Sequence, residues 1–88
     1  MIVPEILKRI AICESGNRQF DQEGNVVRGK YNPSDVGKFQ INLNYWKEEA
    51  NRLGYDLLTE EGNTKMALYI LAKVGPKAWS WSASCWDK

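Results

Sequence analysis

Three expected helices, each closed by its own glycine, constrain this chain more than any other feature. The first covers about Pro4–Ser15, with proline in its first turn and a stop at Gly16. The second starts from an Asn42 or Asn44 cap and ends at Gly54, placed as a C′ glycine. The third begins at Thr59, with Glu60 and Glu61 favourable in its first turn despite the interior Gly62. Its apolar positions Met66, Ala67, Ile70, Leu71 and Val74 keep helical spacing until Gly75-Pro76. Between the first two lies about Phe20–Ile41, too rich in turn residues for a helix, which reads as a short β-hairpin region. Lys77–Lys88 is left as one short helix or turn. The expected class is α+β: a helical body, a small β-region and a cleft between them.

One residue breaks the pattern. In the first helix the apolar stripe runs Ile6/Leu7, Ile10/Ala11 and then Cys13/Glu14. Glu14 therefore points to the core side at a helix C-terminus, where the macrodipole disfavours negative charge. Desolvation acts in the same direction, so its pKa is expected to be raised, as a general acid requires. The plainer reading is a hydrated carboxylate on a frayed helix end.

Other chemistries are poorly supplied. There is no histidine, which removes Ser-His and Cys-His pairs and most catalytic zinc sites. Two cysteines cannot complete a structural zinc site, and no glycine-rich phosphate loop is present. No metal or cofactor is expected. Glu23 falls in Glu23-Gly24-Asn25, a hairpin turn between Phe20 and Val26-Val27, and should be solvated. Asp35 sits between Pro33 and Gly37 in a polar turn, followed by a short Phe39–Ile41 strand. A polar turn suits a carboxylate that must stay ionised, as an apolar helix end suits one that must stay protonated.

These blocks resemble the lysozyme-like superfamily. Cys13-Glu14-Ser15-Gly16-Asn17 looks like the Cys-Glu-Ser-Gly-Gly-Asn run of resuscitation-promoting factors, and Glu14-Ser15 like the Glu-Ser of lytic transglycosylases. Asp35-Val36-Gly37-Lys38-Phe39-Gln40-Ile41-Asn42 is similar to the Asp-x-Gly-x-x-Gln-Ile-Asn block of animal-type lysozymes. Ala78-Trp79-Ser80-Trp81 with Cys85 is similar to the tryptophan-rich, cysteine-terminated end of both groups. The blocks occur in the family's order across nearly the whole chain.

The resemblance implies cleavage of the β-1,4 bond between N-acetylmuramic acid and N-acetylglucosamine in peptidoglycan glycan strands. It makes Glu14 the acid and Asp35 the second carboxylate, the division of labour for which that family is the standard example. It offers Gln40 and Asn42 as sugar-amide contacts and Tyr45 and Trp46 as stacking residues. Asn42 as a mere helix cap, and Trp46 as packing for the second helix, remain open. Tyr69 is expected to line the cleft, although the Ala-Tyr-Asn context of lytic transglycosylases is missing. Trp79 and Trp81 read as core, with one of them against Glu14 and Trp79 counted among the substrate-binding residues. Resuscitation-promoting factors link the positions of Cys13 and Cys85, and such a bridge is worth roughly 4 kcal/mol in the chain-entropy model. The alternative is two buried thiols in a reducing compartment.

Twelve basic and eleven acidic residues leave a net charge of +1, which argues against nucleic acid and gives little attraction to an anionic wall. Strongly cationic lysozymes depend on such attraction. The longest apolar run falls far short of a membrane span, and Met1 leads directly into the first helix. With no signal peptide visible, the expected extracellular or cell-envelope location requires a leader removed or another route of export. A monomer is expected. Three functions follow: a hydrolytic muramidase using both carboxylates, a lytic transglycosylase using Glu14 alone, and a glycan-binding or signalling module without turnover.

Overall fold

A computed structural model describes residues 1–88. It is a small α+β fold, mostly helical, in the order α1 (Glu5–Ser15), β1 (Asp35–Val36), β2 (Ile41–Asn42), α2 (Leu43–Leu53), α3 (Glu60–Val74), a 3-10 segment (Pro76–Ser82) and α4 (Ala83–Trp86). Local chemistry explains the boundaries. Pro4 is the residue before α1 and Gly16 closes it in the left-handed conformation, its N–H and that of Asn17 returning to Ile12 and Ala11 carbonyls. Asn42 is the cap of α2, its side chain accepting from the Tyr45 N–H, and Gly54 ends that helix. Thr59 caps α3 by accepting from the Gly62 N–H.

Two expectations need correction in detail. Asp35 is not in the turn but on strand β1, antiparallel to β2 with Asp35 opposite Asn42 and Val36 opposite Ile41. Phe39 lies in the hairpin connection, so the second strand is Ile41–Asn42 and not Phe39–Ile41. Single bridges pair Phe20 with Val26 and Arg28 with Val36, extending the β-region around the Glu23–Asn25 turn. Asp21 holds that turn, its carboxylate accepting from the Glu23 and Asn25 N–H groups. Glu23 is exposed, as read. Gly62 also gains a reason: a Cβ there would lie 2.0 Å from the Asp56 carbonyl oxygen, so α3 starts against backbone that only glycine admits.

One core joins these elements. Leu7, Ile10 and Ala11 of α1, Met66, Ala67 and Ile70 of α3, and Val36, Phe39 and Ile41 of the hairpin pack with Trp79 and Trp86. α1 packs against α4 and the 3-10 segment, and α3 against the 3-10 segment. Trp81 is corrected: it is 68% exposed, and Trp86 takes the buried position instead. No helix is long and apolar enough to cross a membrane.

The hairpin is fastened to this core by buried amides. Asn63 accepts from the Phe39 N–H and donates to the Val36 and Leu57 carbonyls. Gln19 accepts from the Lys38 N–H and donates to the Leu57 and Leu58 carbonyls. Ser15 donates to the Lys38 carbonyl, and the Trp79 indole N–H donates to that of Phe39. Gly37 sits where both amides converge: its φ is +80°, and a Cβ would lie 2.3 Å from Asn63 Nδ2. Asn63→Ala strands these buried backbone partners and should lower stability by about 3–5 kcal/mol in urea unfolding. A loss below 1 kcal/mol would show that the amide is dispensable.

Cys13 and Cys85 form a disulfide across 72 residues, leaving no free cysteine. It ties the end of α1 to α4. A thiol titration of the denatured, unreduced protein should find no free thiol, and the Cys13→Ser/Cys85→Ser pair should lose roughly 2–4 kcal/mol of stability. Two titratable thiols in protein prepared under oxidising conditions would reject the bridge.

Candidate functional site

Glu14 lies in the last turn of α1, half-buried, between its disulfide-bonded neighbour Cys13 and buried Ser15. The chain's C-terminal segment folds back over it: Ser82, the last residue of the 3-10 segment, donates its hydroxyl to Glu14 Oε2. Glu14 Oε1 has no hydrogen-bond partner within the protein. Burial holds the Glu14 carboxyl above the usual carboxylate value; the Ser82 hydroxyl opposes this, and the negative charge of Asp35 adds to it.

Asp35 is half-buried on β1, and its Oδ1 accepts from Asn42 Nδ2 at 2.9 Å. Asn42 thus has two tasks, capping α2 through Oδ1 and holding Asp35 through Nδ2. Both of its side-chain heteroatoms are engaged inside the protein. Gln40 has φ +49°, unusual for a residue other than glycine. Its Nε2 donates to the Val27 and Gly37 carbonyls, which fixes the side chain and leaves Oε1 free.

Three adjoining depressions run past these groups. The first, about 260 Å³, is lined by Glu14, Lys30, Tyr31, Gln40, Trp81 and Ser82 among others. The second, about 80 Å³, shares Gln40 and Trp81 with it and adds Asp35, Asn42, Trp46 and Trp79. The third, about 620 Å³, shares Asn42, Trp46 and Ala78 with the second and adds Tyr45, Val74 and Lys77. Tyr45 and Trp46 meet edge to face, with centroids 4.9 Å apart, and Tyr45 is 76% exposed.

The remaining site residues divide. Trp79 is 3% exposed and its N–H is used on the Phe39 carbonyl, so it forms a wall and has no polar group to offer. Tyr69 is corrected: it lines none of the three depressions, and its hydroxyl bonds to Glu49. Lys73 lies 2.8 Å from the same Glu49 carboxylate, and Lys73 and then Tyr69 hold that carboxyl below its usual value. This cluster links α2 to α3. Ser82, Lys30 and Tyr31 were not foreseen, whereas Trp81 is one of the two tryptophans of which one was expected against Glu14. Ser82 had a usable signal, since it lies one turn before Cys85 and Cys85 is bonded to the neighbour of Glu14. Nothing in the sequence pointed to Lys30 or Tyr31.

Comparison with protein-family models, with curated proteins and with solved structures found no match to this chain.

The elevated Glu14 pKa has a stability consequence of definite sign. A carboxyl that binds its proton more tightly when folded loses folding free energy as it ionises. Stability should therefore fall as pH rises from the ordinary glutamate value through the raised folded value. Glu14→Gln abolishes that loss, so its melting temperature should exceed that of wild type increasingly from about pH 4 upward, reaching a plateau above the folded pKa. Parallel melting curves across this range would mean that Glu14 ionises as freely folded as unfolded.

Proposed function

We propose that the protein is a glycosidase that cleaves the β-1,4 bond between N-acetylmuramic acid and N-acetylglucosamine in peptidoglycan. The observation that carries this reading is the placement of half-buried Glu14 and of Asp35 in adjoining depressions that share Gln40 and Trp81, with burial holding the Glu14 carboxyl above its usual value. Two carboxyl groups in opposed environments are what a two-carboxylate glycoside hydrolase uses. The sequence blocks around Glu14 and Asp35, which resemble the lysozyme-like superfamily, support the same reading.

In this reading the three depressions together are the cleft for a glycan strand. Glu14 protonates the glycosidic oxygen, and Asp35 stabilises or attacks the positive anomeric carbon. Trp46, Tyr45 and exposed Trp81 offer apolar faces to sugar rings, with Trp79 behind them. Gln40 Oε1 accepts from an N-acetyl N–H, whereas Asn42 acts indirectly by holding Asp35. In this reading the acid ends a helix, Glu14 on α1, and the second carboxylate, Asp35, sits on the small β-hairpin. The disulfide agrees with a location outside the cytosol or in the cell envelope.

A lytic transglycosylase is the second reading, and one observation favours it. Asp35 is anchored by Asn42 in the β-ladder, an arrangement equally suited to a carboxylate that only shapes the hairpin. Glu14 would then act alone, as acid and then base, while the sugar's C6 hydroxyl closes an anhydro ring. A non-catalytic glycan-binding module has no use for a desolvated acid.

Mass spectrometry of digested peptidoglycan separates the three: reducing ends from a hydrolase, 1,6-anhydro ends from a transglycosylase, no fragments from a binding module. Glu14→Gln should reduce cleavage by about two to four orders of magnitude. Asp35→Asn should cut turnover steeply in a two-carboxylate hydrolase while glycan affinity stays within a few-fold. Near-wild-type cleavage by Glu14→Gln would remove the active-site assignment, and full activity of Asp35→Asn would move the mechanism to Glu14 alone.

A further inference from the structure

Ser82 carries more hydrogen bonding than a helix-end serine needs. Its Oγ donates to Glu14 Oε2, lies 3.1 Å from the Trp79 carbonyl oxygen, and accepts the Trp86 Nε1–H at 3.1 Å. A hydroxyl has one hydrogen and two acceptor sites, so Glu14 and the Trp79 carbonyl compete for that hydrogen. The competition is unequal. The Trp79 carbonyl already accepts from the Trp86 N–H at 3.1 Å, whereas Glu14 Oε2 has no other donor. The hydrogen goes to the carboxyl group, while the Trp86 N–H fills an acceptor site on Oγ and makes the hydroxyl a stronger donor.

We infer that Ser82 is a positioning residue for Glu14, fixing which carboxyl oxygen carries the transferable proton; this rests on the glycosidase reading above. With Oε2 kept as an acceptor, the proton of neutral Glu14 resides on Oε1, the oxygen without a protein partner. In the first step the bond from the anomeric carbon to the glycosidic oxygen breaks, and the Oε1 proton passes to that oxygen. In the second step the incoming hydroxyl, of water or of the sugar's C6, bonds to the anomeric carbon and returns its proton to Oε1. Between the steps the Ser82 hydroxyl stabilises the carboxylate. It therefore offsets part of the desolvation that makes Glu14 an acid, allowing the same group to serve as a base.

Two features separate this from a structural role. Removing the Ser82 hydroxyl leaves the Trp86 N–H and the Trp79 carbonyl bonded to each other, so only Glu14 loses a partner. The hydroxyl is also held in place independently of Glu14, because α4 follows directly and Cys85 within it is bonded to Cys13.

The test compares wild type, Ser82→Ala and Ser82→Thr by NMR titration of the Glu14 side-chain carboxyl carbon in protein labelled with 13C-glutamate. Peptidoglycan cleavage across pH and thermal melts are measured alongside. Ser82→Ala should melt close to wild type and titrate Glu14 at higher pH. Its kcat should be lower by about ten- to a hundredfold with KM little changed. The pH–rate profile should move in the same direction as the titration, and Ser82→Thr should restore both. A Glu14 titration unmoved by Ser82→Ala in an active enzyme overturns the inference alone, as does a loss confined to KM. Wild-type protein that releases no fragments overturns the glycosidase reading and this role with it, whatever the titration shows.

Discussion

The buried side-chain amides of Asn63 and Gln19 are what the arrangement of this molecule depends on. A two-residue strand pair has almost no stability of its own, and β1 and β2 would not hold a register unaided. Asn63 and Gln19 supply the missing partners, binding successive backbone groups from Val36 to Phe39 and the Leu57–Leu58 carbonyls opposite. Gly37 follows from them, because two amide nitrogens occupy the space a side chain would need. The hairpin is thus seated on α3 by hydrogen bonds whose loss would leave buried polar groups unpaired, and Asp35 at one end and Gln40 at the other inherit that rigidity.

The environment of Glu14 is built from distant parts of the chain. A carboxylate at a helix end is ordinarily hydrated, and α1 by itself would leave it so. What covers it comes from the far end: the disulfide brings α4 onto α1, and the 3-10 segment then lays Trp81 and Ser82 beside the carboxyl group. Burial and Asp35 favour the neutral form while Ser82 favours the ionised form, so the acidity of Glu14 is a balance among three segments. Any change that loosens the C-terminal segment should hydrate Glu14 and strip it of its hydroxyl partner together.

What the sequence disclosed and what it hid follow from the range of the interactions concerned. The caps at Asn42 and Thr59, the stops at Gly16, Gly54 and Gly75, and the Glu23–Asn25 turn are set by residues within one turn of each other, and all were readable. The apolar position of Glu14 was readable for the same reason. The 3-10 segment was not, since three residues per turn leaves no stripe in seven residues. Trp79, Trp81 and Trp86 could not be sorted into wall, surface and core without it. Tyr69 was misplaced because helical spacing gives a face but not the Glu49 across from it. Gln40 drew notice only through the resemblance, and its positive φ and its bonds to Val27 and Gly37 are tertiary facts.

The near-zero net charge acquires a different meaning once charges are located. Lys30 lines the depression beside Glu14, and Lys77 lines the one beside Tyr45 and Trp46, at opposite ends of the row. The middle depression carries no lysine or arginine and is walled by Trp46, Trp79 and Trp81 beside Asp35. Under the proposed reading, a strand carrying carboxylates along its length meets a cation at each end of the cleft and apolar faces between. Attraction then acts where it sets the register of the strand, in place of a general pull to the wall that falls off within a Debye length. A cation next to the cleavage point would stabilise ionised Glu14 and weaken it as an acid. Lys30 lines the Glu14 depression, yet the influences on the Glu14 carboxyl are burial first, then Ser82 and Asp35, and the net direction is upward.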